Sequence, residues 1–156
     1  MIKLSESAKQ AITRHAESTY PHECVGLLIG RLEDGGKIVE DVYLAQNTWS
    51  ADVGLTAAEH EHSLRDRFYL DPRDYLRADR TARAQGLDVV GCYHSHPDHP
   101  AQPSERDRVG AQGVGGGAIF SFLIQSVRSG HAADLTAWLL ADGGERFIEE
   151  ELQIPG

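Results

Sequence analysis

Tyr93-His94-Ser95-His96-Pro97 sets two imidazoles two residues apart in a stretch that reads as a strand. On an extended chain alternate side chains share a face, so His94 and His96 stand about 6.6 Å apart at the backbone and point the same way. Two imidazoles so placed can converge on one ion, and His-x-His at a strand end is a common zinc half-site. A pair of ordinary exposed histidines is the plain alternative. Zinc chemistry needs a third ligand, and Ser104-Glu105-Arg106-Asp107 offers one. This tetrapeptide reads first as a capping box, with Ser104 as N-cap and Asp107 at N3. A carboxylate in the first turn faces the helix mouth, so Asp107 can cap the helix and also meet His94 and His96. That leaves the fourth zinc position open to water.

Other reactive side chains fit less well. Cys92 shares the strand face of His94, but it and His96 stand about 13 Å apart along an extended strand, too far to share bonds near 2 Å. It and Cys24 lie in apolar runs and read as packed thiols, not a disulfide. His60-Glu61-His62 repeats the alternate spacing without a nearby third ligand and reads as a solvated face. His99 either touches substrate or is simply exposed, and His131 follows a turn. Gly113 and Gly115 to Gly117 follow a helix instead of preceding one and lack a Lys-Ser/Thr sequel, so they form a loop and not a phosphate cradle.

The elements that position these residues follow from periodicity. Leu4, Ala8, Ile12 and Ala16 recur every four residues between Ser5, an N-cap, and Pro21, which predicts an amphipathic helix from Ser5 to Thr19. Cys24 to Gly30 is a continuous apolar run, and Asp34-Gly35-Gly36 turns the chain into Lys37 to Ala45, a hairpin. Gln46 to Ser63 has no period and reads as a long loop bordering a site, followed by a short strand at Phe68 to Leu70. Asp71-Pro72 opens a second helix closed by Gly86, and Leu87 to His96 is the histidine strand, ended by Pro97. A proline-rich loop leads to the Ser104 helix. Strands are then expected at Ala118 to Val127, Leu135 to Ala141 and Arg146 to Ile154. Hairpins with one crossover argue an α/β (α+β) architecture, a mixed sheet with helices packed on it.

The chain has 156 residues, enough for one domain spanning 1–156. Its formal charge of −9 repels phosphate backbones and anionic lipid, which argues against nucleic acid as the main partner. No apolar stretch approaches a membrane span, and Met1 to Gln10 alternates without a hydrophobic block, so the expected address is cytoplasmic.

His94-Ser95-His96-Pro97, five residues, Pro103-Ser104, two residues and Asp107 resembles, without a gap, the signature of the JAMM (MPN-plus) zinc metallopeptidases. Tyr20-Pro21-His22-Glu23-Cys24-Val25-Gly26-Leu27-Leu28 is similar to the family's first strand with its glutamate. The resemblance extends through Asp71-Pro72-Arg73, Val90-Gly91 and Leu135-Thr136-Ala137-Trp138 and looks closest to the compact bacterial members. It implies a mostly antiparallel, curved sheet flanked by helices, the cytidine-deaminase-like MPN fold. It also implies one Zn²⁺ held by His94, His96 and Asp107, with Glu23 as general acid/base and Ser104 steadying the oxyanion. The assignment of Glu23 rests on the resemblance, since an isolated glutamate before a strand is ordinarily a surface residue. The implied substrate is an amide bond after the Gly-Gly tail of a ubiquitin-like protein, for a bacterial member a sulfur carrier. A small peptide or amide, or a non-catalytic scaffold, are the competing readings.

Overall fold

A computed structural model of the chain describes residues 1–50, 63–65, 67–114 and 119–155. It contains strands β1 (Ile2–Leu4), β2 (Val25–Glu33), β3 (Gly36–Ala45), β4 (Asp88–Pro97), β5 (Ser121–Arg128), β6 (His131–Ala141), β7 (Arg146–Glu150) and β8 (Leu152–Gln153). The helices are α1 (Glu6–Thr19), α2 (Pro72–Ala84) and α3 (Glu105–Val114). Both long helices start where the sequence predicts. Ser5 accepts from the Ala8 N–H and Asp71 from the Arg73 N–H, each satisfying a donor that the first helical turn leaves over. No helix among the described residues is long and apolar enough to cross a membrane.

The eight strands form one sheet in the order β7-β6-β5-β4-β2-β3-β1-β8. Four of its pairings are antiparallel, and β4–β5, β1–β3 and β1–β8 are parallel. The β4–β5 crossover runs through α3, which is how the helix bearing Asp107 is delivered to the end of the histidine strand. The segment from Arg146 to Ile154, expected as one strand, is two: β7 and β8 lie at opposite ends of the sheet with only Glu151 between them. The sheet must therefore curl until its ends nearly meet. A buried ion pair spans the inside of the curl, Lys37 Nζ of β3 to Glu150 Oε2 of β7 at 2.9 Å, and Ser121 donates to the other Glu150 oxygen at 2.6 Å. β1 is an addition to the predicted set, too short to show a period. Phe68 to Leu70, expected as a short strand, belongs to no strand and lies outside the sheet.

Helices cover both faces. On one, Ala8, Ile12 and Ala16 of α1 pack on Leu28, Tyr93, Leu123 and Val127. On the other, Ala78 of α2 and Ala111 of α3 pack on Leu27, Cys92, Phe120 and Phe122. The period of two thus sends Tyr93 and Ser95 towards α1, and Cys92, His94 and His96 towards α2 and α3. Gly26 pairs across the ladder with Tyr93, and a Cβ there would lie 2.3 Å from the phenol ring. Tyr93 has nowhere to go, being fully buried and held by His15 Nδ1 at 2.8 Å. Gly26→Ala is accordingly expected to cost about 1–3 kcal/mol, the range for overpacking, read as a lower midpoint in urea unfolding.

Candidate metal centre

The β2–β4 ladder pairs Val25 with His94, and beyond it Cys24 and Ser95 exchange two bonds: Cys24 N–H donates to Ser95 Oγ (2.8 Å) and Ser95 N–H to the Cys24 carbonyl (3.2 Å). Continuing this antiparallel register brings Glu23 opposite His96, on the face that carries both histidines. Glu23, His94 and His96 are buried, and one ligand atom from each lies within 4.8 Å of the others. Asp107 arrives from α3. Its Oδ1 is 3.2 Å from His94 Nε2 and its Oδ2 3.0 Å from His96 Nε2, while the two Nε2 atoms are 3.0 Å apart. Asp107 also closes the expected capping box, its Oδ2 accepting from the Ser104 N–H (2.9 Å) as Ser104 Oγ accepts from the Asp107 N–H (3.0 Å). Ser104 Oγ keeps its own proton for another acceptor.

The tautomer of His96 is fixed. Its Nδ1 lies 2.8 Å from the Pro100 carbonyl, which can only accept, so Nδ1 carries the hydrogen and Nε2 of the neutral ring is a bare lone pair. That lone pair faces a carboxylate oxygen and another imidazole nitrogen. Against the Asp107 oxygen at 3.0 Å this sets acceptor against acceptor, a contact that needs a proton or a metal cation between the two. Burial opposes protonating His96, but the hydrogen bond and charge of Asp107 outweigh it and raise the pKa above 6.5. Burial likewise opposes charge on Asp107, yet the charge of His94 and the hydrogen bonds from both histidines hold its carboxyl well below the usual range. Two imidazoles and a carboxylate form a donor set that suits zinc, and separations of 3.0–3.2 Å suit atoms each about 2 Å from one ion.

A groove of about 930 Å³ runs past these residues, its lining including the polar Glu23, His96, Ser104 and Asp107 and the apolar Phe68, Tyr75, Leu76 and Val109. Phe68 stacks on the His94 ring, centroids 4.5 Å apart. Asp98, at φ 58°, turns the chain after Pro97 so that the Pro100 carbonyl comes back to His96, and it accepts from Tyr20 Oη (2.5 Å) and the Ser129 N–H (2.8 Å). Arg108 and Gln112 hold α3 in place by donating to the Gly144 carbonyl at 2.9 and 2.7 Å.

The five residues expected at the site therefore meet at one end of β4, and among the described rivals Cys92, Cys24 and His131 do not join them. Cys92 lies in the apolar cluster beneath α2, its thiol pushed up to about 12 by burial, and the Cys24 thiol is raised to about 11 for the same reason. His99 is exposed on the groove wall and His131 exposed at the start of β6. His60, His62 and Gly115 to Gly117 lie outside the described residues. Missed by the sequence reading were Ser95, whose hydroxyl holds Cys24, the residue after Glu23, against the histidine strand, and Phe68. Ser95 carried a signal, since a hydroxyl between two outward histidines must face inward; Phe68 carried none.

Comparison with known proteins shows the family and the fold. A family model of prokaryotic homologues of the JAB domain matches residues 5–141. The chain belongs to this prokaryotic JAB family. Human deubiquitinase MYSM1 is 32% identical over 106 residues, 68% of this JAB chain and 11% of that protein. Tail tip assembly protein K of Escherichia phage N15 is 35% identical over 98 residues, 63% and 31% of the two chains. A probable TtuB-protein conjugate cleaving protease of Thermus thermophilus is 35% identical over 104 residues, 67% and 56%. The JAB chain thus spans from about a tenth to just over half of these relatives. A solution structure of a Desulfitobacterium hafniense protein superposes with TM-score 0.76 at 28% identity, covering 99% of this chain and 93% of that one. A JAB1/MPN domain protein from Archaeoglobus fulgidus shares the fold, TM-score 0.54 at 18% identity, with 97% of each chain covered.

Protonation gives the site a testable sign. His96 has a raised pKa in the metal-free fold, so its stabilising contribution is full below 6.5 and is lost as pH rises through the raised value. Asp107, being depressed, stays ionised across that window. Chelator-treated protein should melt at progressively lower temperature above pH 6.5, and Asp107→Asn should flatten that dependence. Zinc affinity should run the other way, rising with pH as the proton leaves His96.

Proposed function

We propose that residues 1–156 act as a zinc-dependent peptidase or isopeptidase that hydrolyses the amide bond after the Gly-Gly tail of a ubiquitin-like protein, a bacterial sulfur carrier being the favoured partner. The observation that carries the reading is the convergence of His94, His96 and Asp107 on one point, with Glu23 buried beside it. The deubiquitinase and conjugate-cleaving protease among the relatives support the substrate class. In this reading His94, His96 and Asp107 hold the zinc. Zinc, when bound, supplies Lewis acidity, polarising the scissile carbonyl and lowering the pKa of water beside it to around 7.

The chain's own residues do the rest. Glu23, opposite His96, takes the proton of the attacking water and hands it to the amine nitrogen as the carbon–nitrogen bond breaks. The Ser104 hydroxyl donates its remaining proton towards the carbonyl oxygen as charge develops there. The Pro100 carbonyl keeps His96 in the tautomer whose Nε2 faces the ion.

A tail cannot dock by adding to β2 or β4, since both are interior strands with no edge to offer. The segment from Arg67 to Leu70 serves instead. Its Arg67 and Tyr69 backbone groups bond towards Asn47 and Thr48, and those of Phe68, between them, are the ones with which a tail would pair. Two glycines suit the narrow passage by the zinc because they need no side-chain room.

The test is intact-mass spectrometry of a ubiquitin-like sulfur carrier extended past Gly-Gly, incubated with zinc-loaded protein. Release of the extension is expected, with Glu23→Gln keeping its zinc and losing about 10²–10⁴ in rate. Asp107→Ala should lose zinc affinity together with about 1 kcal/mol of helix capping. Cleavage of a free Gly-Gly-X peptide as fast as of the intact carrier would count against recognition of the globular partner. Unchanged zinc affinity in Asp107→Ala would refute the ligand set.

A further inference from the structure

The Asn47 side chain, just past the end of β3, makes four hydrogen bonds to the backbone of three separate stretches. Its Nδ2 donates to the Glu23 carbonyl at 3.0 Å and to the Arg67 carbonyl at 2.9 Å. Its Oδ1 accepts from the Trp49 N–H and the Tyr69 N–H, each at 3.1 Å. A primary amide has two donor hydrogens and two acceptor lone pairs, so this one is used in full. Only one orientation of the amide fits, since both carbonyls can only accept and both N–H groups can only donate.

We infer that Asn47 is a positioning residue: it braces Glu23 against the groove wall formed by Arg67 to Leu70, setting where the acid/base carboxylate stands relative to the substrate channel. The inference rests on the peptidase reading for the role of Glu23. Glu23 precedes β2, so ladder pairing alone does not hold it; its N–H donates to the Leu64 carbonyl at 2.7 Å and its carbonyl is held by Asn47. The same amide grips both neighbours of Phe68, the residue stacked on His94. One side chain therefore registers the acid/base residue, the aromatic wall and a metal-facing imidazole against one another. None of His94, His96 or Asp107 bonds to Asn47, so the brace acts on proton transfer and not on holding the ion.

The isosteric Asn47→Asp keeps an acceptor towards Trp49 and Tyr69 but removes both donors and sets carboxylate oxygen against two carbonyls. It should retain one zinc per chain while kcat falls at least tenfold. In a Glu23→Gln background the same change should cost less than twofold, because the residue through which it acts is already disabled. A merely structural asparagine would lower both backgrounds by the same factor. That result, loss of zinc, or a kcat within twofold of the unaltered enzyme would overturn the proposal. Should the variant fail to fold, amide hydrogen exchange on the unaltered protein still decides whether the brace exists. The Trp49 and Tyr69 amides should be protected like those of β2, although neither belongs to a strand, and exchange at loop rates would refute it. Absence of any cleavage by the unaltered protein counts against the peptidase reading, whereas the exchange result bears on the brace alone.

Discussion

The His96 Nε2 lone pair and an Asp107 oxygen, 3.0 Å apart with His94 Nε2 beside them, repel one another unless a proton or a metal cation lies between them. Most of what surrounds them keeps that arrangement from relaxing. Pro100 fixes the His96 tautomer, the Ser104 N–H holds one carboxylate oxygen, and Phe68 covers the His94 ring. Because all three groups are buried, water cannot screen the repulsion, and a proton or a metal cation has to resolve it. The choice between the two depends on pH, which makes stability and metal uptake opposite readouts of the same cluster.

The sheet delivers these groups by register. β4 is central, with β2 antiparallel on one side and β5 parallel on the other. The antiparallel partner brings Glu23 across from His96, and the parallel one demands a crossover, whose helix carries Asp107. Curling of the sheet, closed by β7 and β8 and by the Lys37–Glu150 pair, leaves the ends of β4 and β2 and the start of α3 facing a common groove. Glu150 also faces the N-terminal ammonium of Met1 at 3.3 Å, so it is the loss of Glu150, leaving Lys37 buried without a carboxylate, that would strand a charge.

Local spacing made part of this legible. His94 and His96 share a face because strands alternate, and Ser104 to Asp107 announces a helix start by its capping pattern; both readings need only a few neighbouring residues. Glu23 is different, since its partnership with His96 is set by a ladder between segments some 70 residues apart, and the residues around it say nothing of that pairing. Asn47 was passed over because it sits in a stretch without periodicity, where an amide ordinarily means a turn or solvent. The division of Arg146 to Ile154 escaped for a related reason: an apolar/polar alternation states that a stretch is extended, not which sheet edge it joins. Phe68 to Leu70 joins no strand because its backbone bonds go to a loop: the Tyr69 N–H donates to the Asn47 amide oxygen, and the Tyr69 carbonyl accepts from Thr48.

Zinc K-edge X-ray absorption on the purified, zinc-loaded protein tests the central claim most directly. The arrangement of His94, His96 and Asp107 predicts one zinc per chain in a shell of nitrogen and oxygen, with outer-shell scattering from two imidazoles and no sulfur. A sulfur shell, which would put Cys92 or Cys24 on the metal, or protein that takes up no stoichiometric zinc, would contradict it.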